Sequence, residues 1–412
     1  MKLKIFLLLM AVIIFMSGKT FAAIEVTDER ATPEYWTNKN LNGDEIILSA
    51  QEISQLNLQM RMNDDYAADL KNFPTTISAE NLKARIIQAS NDVGLGQHAS
   101  QNFDAIVEDV NISYAVTTER VNIRLLPRNW TGENFDKLQG TALDPAEAVA
   151  VMWESLDGKF VFVQARNYFG WVEKSKLAFT TRDIWMKYVK PENFIVVTAN
   201  KKSVNVGGKN ILFQMGAVIP INDDDENFWY AQIPTDDGGR LREVTVKIAK
   251  DETVHKDFLP CTTNNFIRQS FKFLGDVYGW GGLKDSVDCS AFTSDIYRSM
   301  GIEIPRDADR QKFCMPIIAE INHQSYDERI KILQDSPTGS LLFKPGHVLM
   351  LLGNDDKNTP IAIHAASSYY LEDKKIYVSK VLVSEMSYPN DYGGYSVERL
   401  TGIDFAKSII NN

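Results

Sequence analysis

The sequence predicts a multidomain α+β protein: a helical N-terminal segment, two small β-barrels and a closing mixed domain. Three observations carry this. The 412 residues, 44% hydrophobic and 24% charged, suffice for roughly two to four domains of ~100 to 200 residues each. Apolar residues recur at helical spacing up to about residue 112 and then give way to short β-type runs broken by Gly, Pro, Asn and Asp. Further on, Tyr278-Gly-Trp-Gly-Gly-Leu-Lys-Asp-Ser-Val-Asp-Cys289 leads through a glycine-rich turn into a new helical pattern. The boundaries that follow are 1–22 for a leader, 23–112 for the helical segment, 113–182 and 183–250 for the barrels, and 256–405 for the last domain.

In the leader, Lys2 and Lys4 precede an unbroken apolar run from Ile5 to Met16, followed by Ser17, Gly18 and Thr20-Phe-Ala22. That run is shorter than the ~20 residues a spanning helix needs, so residues 1–22 read as a secretory signal, with no stable membrane insertion once it is removed. Its loss takes away Lys2, Lys4 and Lys19 and no acid, moving the formal charge from −10 to −13. So acidic a chain is a poor match for a phosphate backbone, and nucleic acid is not an expected partner. Export also favours cysteine pairing. Cys261, Cys289 and Cys314 are odd in number, leaving two readings open: a Cys261–Cys314 disulfide with Cys289 free, or three reduced thiols.

In the helical segment, Ser49-Ala-Gln-Glu52 is a capping-box pattern followed by Ile53, Leu56 and Met60, and a second helix starts at Ser78 with Leu82, Ile86 and Ile87 on one side. His98, in a polar stretch beside Gly94 and Gly96, reads as a loop residue. The runs Tyr114–Thr117, Val121–Leu125, Ala148–Met152, Lys159–Val163 and Tyr168–Val172 read as strands at small-barrel spacing. Leu156–Ala165 and Asp225–Ile233 echo one another, each an acidic turn leading into an aromatic strand, which supports two barrel copies divided near residue 182. The charged mixture Lys247–Lys256 reads as a linker in which His255 is exposed, and Thr262–Gly275 as a helix with Phe266, Ile267, Ser270 and Leu274 on one face.

The chemistry concentrates in the last domain. Asp288 is a good N-cap, and Ala291, Phe292, Ile296, Tyr297 and Met300 form a stripe that stops at Gly301, so Cys289 takes the first helical position. Backbone N–H groups and the helix dipole there favour an anionic sulfur, which predicts a lowered thiol pKa, and can receive a developing oxyanion. A small buried structural cysteine would look the same, and two histidines shift the balance. His347 opens an apolar strand, and the polar run Asn354–Thr359 turns the chain into Pro360-Ile-Ala-Ile-His364. With Gly353 opposite Pro360, His347 faces residue 366 and His364 lies two positions away on the same face, a diagonal neighbour ~7 to 8 Å distant. A base and the residue that orients it need such proximity. Cys289 with two histidines could also hold zinc, but no CxxC, HExxH or HxH spacing is present, so neither metal nor cofactor is expected. His323 in a polar loop is a bystander.

Asp288-Cys289-Ser290, Gly346-His347-Val348 and Ile363-His364-Ala365 resemble the three signatures of NlpC/P60 cysteine peptidases. The resemblance implies a papain-like catalytic domain with a Cys-His-His triad, and the wider layout resembles the subgroup with two bacterial SH3-like barrels that acts as γ-D-glutamyl-L-diamino acid endopeptidases. Carried over, Cys289 is the nucleophile, His347 the base and His364 the orienting third member. Tyr278, in the Tyr-x-Trp-Gly-Gly pattern, is expected near nucleophile and oxyanion; Asp307, in Ile304-Pro-Arg306-Asp307, is expected to hold the free α-amine of an N-terminal L-Ala, with Arg306 and Ser290 lining the same pocket. Independently, a carboxylate in a cleft selects an ammonium by a charge-assisted hydrogen bond. The chain departs from the pattern at Ala308, where a hydroxyl residue is the expectation, and the acidic residue that relatives supply from the first barrel has no evident match.

The expected protein is an exported cysteine endopeptidase of the periplasm or cell envelope that takes peptidoglycan stem peptides and cuts the γ-D-glutamyl–diaminopimelate bond, preferring a free N-terminal L-Ala. Its rivals are a murein hydrolase of other bond specificity on intact sacculi and a non-catalytic wall-binding protein. The sequence carries no sign of an oligomeric state.

Overall fold

Local capping signals set the helix starts. Ser49 Oγ accepts the Glu52 N–H at 3.3 Å while the Glu52 carboxylate accepts the Ser49 N–H at 2.7 Å, which opens the helix Ala50–Asn63. Ser78 caps Ala79–Asn91 and Thr262 caps Thr263–Phe271. The computed structural model describes residues 25–371, 374–388, 390 and 394–407, and the leader expected over residues 1–22 lies outside the described residues.

The N-terminal segment is shared between two cores. Val26, Trp36, Leu48, Leu56 and Met60 join the core of the last domain, where Ile46–Leu48 pairs with Cys261–Thr262. Tyr66, Leu70, Leu82, Ile86 and Ile106 instead join the core of the barrels. The two apolar stripes are separate, and each buries itself against the nearest complementary surface.

Expected first-barrel strands form as Ser113–Thr117, Val121–Arg124, Ala148–Glu154, Phe160–Gln164 and Phe169–Glu173, joined by Gln139–Leu143 and Leu177–Thr180. Near the expected division the chain forms a helix, Arg182–Val189, whose buried Trp185 packs on Tyr114 at 4.8 Å between ring centroids. The barrels are continuous rather than separate: Phe179 bridges Arg240 in parallel, and their strands run into one twelve-stranded sheet. Most of the expected linker is also strand, in Arg240–Ala249 and Val254–Lys256. Its lysines stand outward over aromatic rings, Lys247 over Phe228 and Tyr230 and Lys250 over Trp229, so the charge run conceals a half-buried strand.

In the last domain an antiparallel six-stranded sheet runs Ile317–Glu320, Gly402–Asp404, Leu341–Lys344, His347–Asn354, Pro360–Leu371, Lys374–Glu385. The helices Thr263–Phe271 and Cys289–Ser299 pack Phe266, Ile267, Phe292, Ile296 and Tyr297 into its core. Helix Thr263–Phe271 ends before Leu274, which is exposed. Among the described residues no helix is long and apolar enough to cross a membrane.

Charge clamps the last domain to both barrels. Arg298, 7% exposed, donates to Asp144 at 2.5 Å, to Glu147 at 2.9 Å and to the Met215 carbonyl at 3.1 Å. Removing one partner of a buried ion pair strands the other, at about 3–5 kcal/mol, whereas an exposed pair is worth at most about 1 kcal/mol. Arg120 also pairs with Asp144 at 3.1 Å and Arg166 with Glu147 at 3.5 Å, so Arg298→Met is expected to lower stability by about 3 kcal/mol, the low end of that range, in denaturant unfolding. The same change at the exposed Arg268–Asp44 pair is expected to stay within about 1 kcal/mol.

Candidate active site

A turn and a cap place Cys289, the candidate nucleophile. Gly281 and Gly282 adopt φ of 57° and 81°, the left-handed region that side chains resist. A Cβ on Gly281 would sit 2.4 Å from Gln139 of the first barrel, so only glycine admits this close approach. The turn lets the Gly281 N–H reach Asp288 Oδ2 at 2.9 Å, while Asp288 Oδ1 caps the next helix through the Ala291 N–H at 2.8 Å. Cys289 follows as the first helical residue, 7% exposed, with the Ser290 and Val348 N–H groups directed at its sulfur.

Val348 follows His347, so that contact brings the cysteine to the start of the strand that carries the first histidine. The strand His347–Asn354 pairs with Pro360–Leu371, with Asn354 opposite Pro360 where the sequence suggested Gly353. A bulge between Leu351 and Gly353 takes up the extra residue, so that Met350 faces Ile363. Beyond the bulge this register carries His347 to residue 366, diagonal to His364. The rings meet: His347 Nε2 lies 2.8 Å from His364 Nδ1, and His364 Nε2 lies 3.1 Å from Ser384 Oγ. With Nε2 of His347 engaged, its Nδ1 is the nitrogen left to take the thiol proton. Protons on His347 Nε2 and His364 Nε2 then donate along the line to His364 and Ser384.

Electrostatics reverses one expectation. Burial and the Asp288 charge push the Cys289 thiol up to about 12, against the lowering effect of the Val348 and Ser290 N–H groups and of Arg306. Burial foremost, then Lys344 and His364, holds His347 well below the ordinary histidine range, and burial with Lys344 brings His364 to about 3. The surroundings of the free site thus favour the neutral thiol and the neutral imidazoles over their charged forms.

The flanking residues divide. Arg306, 5% exposed, forks onto Asp288 at 3.1 and 2.7 Å and donates to Ser290 Oγ at 2.8 Å and Thr141 Oγ1 at 2.7 Å. Arg306 and Ser290, expected in the substrate pocket, thus belong to the frame beneath the nucleophile, because a buried Asp288 requires a cation and Ser290 lies within that cation's reach. Asp307 differs: among the described residues no side chain hydrogen-bonds or ion-pairs with its carboxylate, and burial pushes it up to about 6, opposed by Arg306 and Arg310 and reinforced by Asp288 and Asp64. The outside acid acting on it is thus Asp64 of the N-terminal segment, which Arg310 holds at 2.9 Å; the first barrel brings Tyr168, whose buried hydroxyl feels the Asp307 charge. Tyr278 is buried close enough to Cys289 for the sulfur's charge to oppose its own ionisation. Its ring lies 6.1 Å from Phe135, which lies 5.9 Å from Trp280, so a first-barrel loop joins the site wall.

Residues 275–380 match the NlpC/P60 family, and residues 127–173 match the SH3 domain of SH3b1 type. The chain carries an NlpC/P60 cysteine-peptidase domain. It is 24% identical over 198 residues to a gamma-D-glutamyl-L-lysine dipeptidyl-peptidase of Bacillus cereus, covering 46% of this chain and 55% of that relative. The chain spans about half the length of the curated relatives it matches. An NlpC/P60 endopeptidase from Photobacterium damselae subsp. piscicida shares the fold at TM-score 0.67 and 18% identity, over 89% of this chain and 91% of that one. An NlpC/P60 family protein from Bacillus cereus ATCC 10987 shares it at TM-score 0.52 and 18% identity, over 71% and 99%.

Ser384 on the last-domain sheet and Thr141 and Phe135 of the first barrel join the site with no motif to mark them. His364 pairs with Leu382, so strand alternation would place Ser384 on the histidine face once the pairing is known; Thr141 and Phe135 carry no local signal. Cys261 and Cys314 are both free, buried thiols, not a disulfide. Because the Cys289 thiol is pushed up to about 12, iodoacetamide labelling of the free enzyme is expected to climb steadily with pH through the alkaline range, read by mass spectrometry against Cys289→Ala. A rate already on its plateau at mildly acidic pH would contradict the neutral thiol.

Proposed function

We propose that this protein is an exported cysteine endopeptidase of the cell envelope. It hydrolyses the bond between γ-D-Glu and the diamino acid in murein stem peptides, with preference for a free N-terminal L-Ala. The observation that carries the reading is the unpaired Asp307 carboxylate, one residue past the Arg306 that frames Cys289. A part-buried anion with no side-chain partner among the described residues is a site for a substrate cation. The curated relatives support the bond and the dipeptide product through their names, gamma-D-glutamyl-L-lysine dipeptidyl-peptidase. An amine held at Asp307 marks the start of the peptide, and a fixed distance from there to Cys289 sets a dipeptide as the product.

In this mechanism Cys289 attacks the γ-carbonyl as its proton passes to His347 Nδ1, with His364 and Ser384 keeping that ring oriented. N–H groups at the helix start receive the oxyanion, beside Tyr278. As the C–N bond breaks, His347 returns the proton to the leaving amine. Water, deprotonated by His347, then hydrolyses the thioester and frees the sulfur. The resulting peptide preference suits recycling or remodelling of processed murein.

Incubation with L-Ala-γ-D-Glu-diaminopimelate and its lysine counterpart is expected to release L-Ala-D-Glu, detected by mass spectrometry. Cys289→Ala is expected to abolish it; no dipeptide from the unaltered protein, or unchanged release by the variant, ends the proposal. Acetylating the substrate amine is expected to lower kcat/KM about 10- to 100-fold, the worth of one charge-assisted hydrogen bond, and Asp307→Asn to remove the distinction. Asp307 titrates at about 6; below that pH it is neutral and loses its hold on an ammonium. KM for the free-amine peptide is therefore expected to rise as pH falls through about 6, a step the acetylated peptide should lack.

A further inference from the structure

A lysine stands beside the histidine pair. Lys344 is the direct cross-strand partner of His347 in the hairpin Leu341–Asn354, which puts both side chains on one face. Its ammonium donates to the Tyr388 hydroxyl at 2.6 Å and to Ser396 Oγ at 3.2 Å. The Tyr388 ring in turn lies parallel to the His364 ring, with 6.3 Å between centroids and 11° between planes. The cation is therefore held on the histidine face of the sheet by two neutral hydroxyls, one of them on the ring that lies along His364, and among the described residues no carboxylate pairs with it. The groups around the imidazoles are Ser384 on the neighbouring strand and Tyr388 and Ser396 beyond that strand, with the Cys289 thiol at the N–H of Val348, next along the chain from His347, and Asp288 beside that cysteine. Asp288 is already neutralised by Arg306.

We propose that Lys344 is a positioning residue acting through His347: its ammonium, fixed by Tyr388 and Ser396, disfavours protonation of either imidazole and keeps His347 a proton acceptor in acidic surroundings. This rests on the Cys289–His347–His364 reading above. The logic is Coulombic. A second positive charge on the histidine pair would be repelled by Lys344 in a site where burial already opposes it. Lys344 is also the leading charge that lowers both rings.

The test follows the histidine rings directly, in the full chain carrying Cys289→Ala and 15N-labelled histidine, by NMR titration down to the pH of unfolding. Lys344→Met is expected to raise the protonation midpoint of the His347–His364 pair on the order of one pH unit, the effect of a single nearby charge in a protein interior. Lys344→Arg is expected to leave it near the parent value. Tyr388→Phe, which frees the ammonium, is expected to move it the same way by less, and carries the test if Lys344→Met does not fold. In the active chain the acid limb of kcat, which reports the loaded site, is expected to move upward in step. Rings that titrate alike in parent and variants, or stay neutral to the unfolding point in all of them, overturn the proposal. Because the NMR arm needs no turnover, its failure is distinct from a failure of the peptidase assay.

Discussion

The Asp288–Arg306 ion pair is the contact on which the site depends. Asp288 is a buried carboxylate that caps the helix of Cys289, holds the Gly281 turn and receives both prongs of Arg306. Desolvation opposes its charge, and Arg306 with the two backbone donors outweighs that. A cap worth ~1 kcal/mol at the surface becomes, once buried, a group whose partner cannot be removed without leaving a stranded charge. Because Arg306 also donates to Thr141 of the first barrel, the bond that sets the nucleophile also docks the barrel beside it.

The first barrel therefore belongs to the site. Gln139 donates to the Gly281 carbonyl at 2.8 Å, and the Trp280 indole donates to the Asp136 carbonyl at 3.1 Å. Asp136 is itself fixed by buried Arg124 at 2.6 Å. On the opposite side, Asp64 and Asp65 of the N-terminal segment hold Arg310, just past Asp307. A lone catalytic domain would lack two walls of the cleft.

The thiol's pKa shows how magnitude decides between opposing effects. A helix N-terminus is worth about 0.3–1 kcal/mol, up to about 2 in partly buried settings. Full burial moves a titratable group by up to about 3–5 pKa units, at 1.36 kcal/mol per unit. With Cys289 7% exposed and a carboxylate one residue before it, burial prevails. Position in the helix still orients donors for the oxyanion; it does not make a standing thiolate.

Much of this was legible in the chain. Ser49–Glu52, Thr262 and Asp288 announce their helix starts, and the apolar runs at His347 and His364 on either side of the polar stretch Asn354–Thr359 announce a hairpin. Both are local effects: capping and periodicity involve residues within a few positions of one another. The histidine register was readable only in part, because the bulge at Gly353 trades one residue without a signal of its own, yet leaves the two histidines on one face. The inward role of Arg306, the split of the N-terminal segment and the strand within Lys247–Lys256 were hidden, since each depends on which distant surface comes to rest against it. The sequence by itself determined the nucleophile's place at a helix start and the pairing of two histidines. Tertiary structure alone decided the protonation states, the frame around Asp288 and the cation beside the histidines, because desolvation and long-range charge exist only once the chain has closed around them.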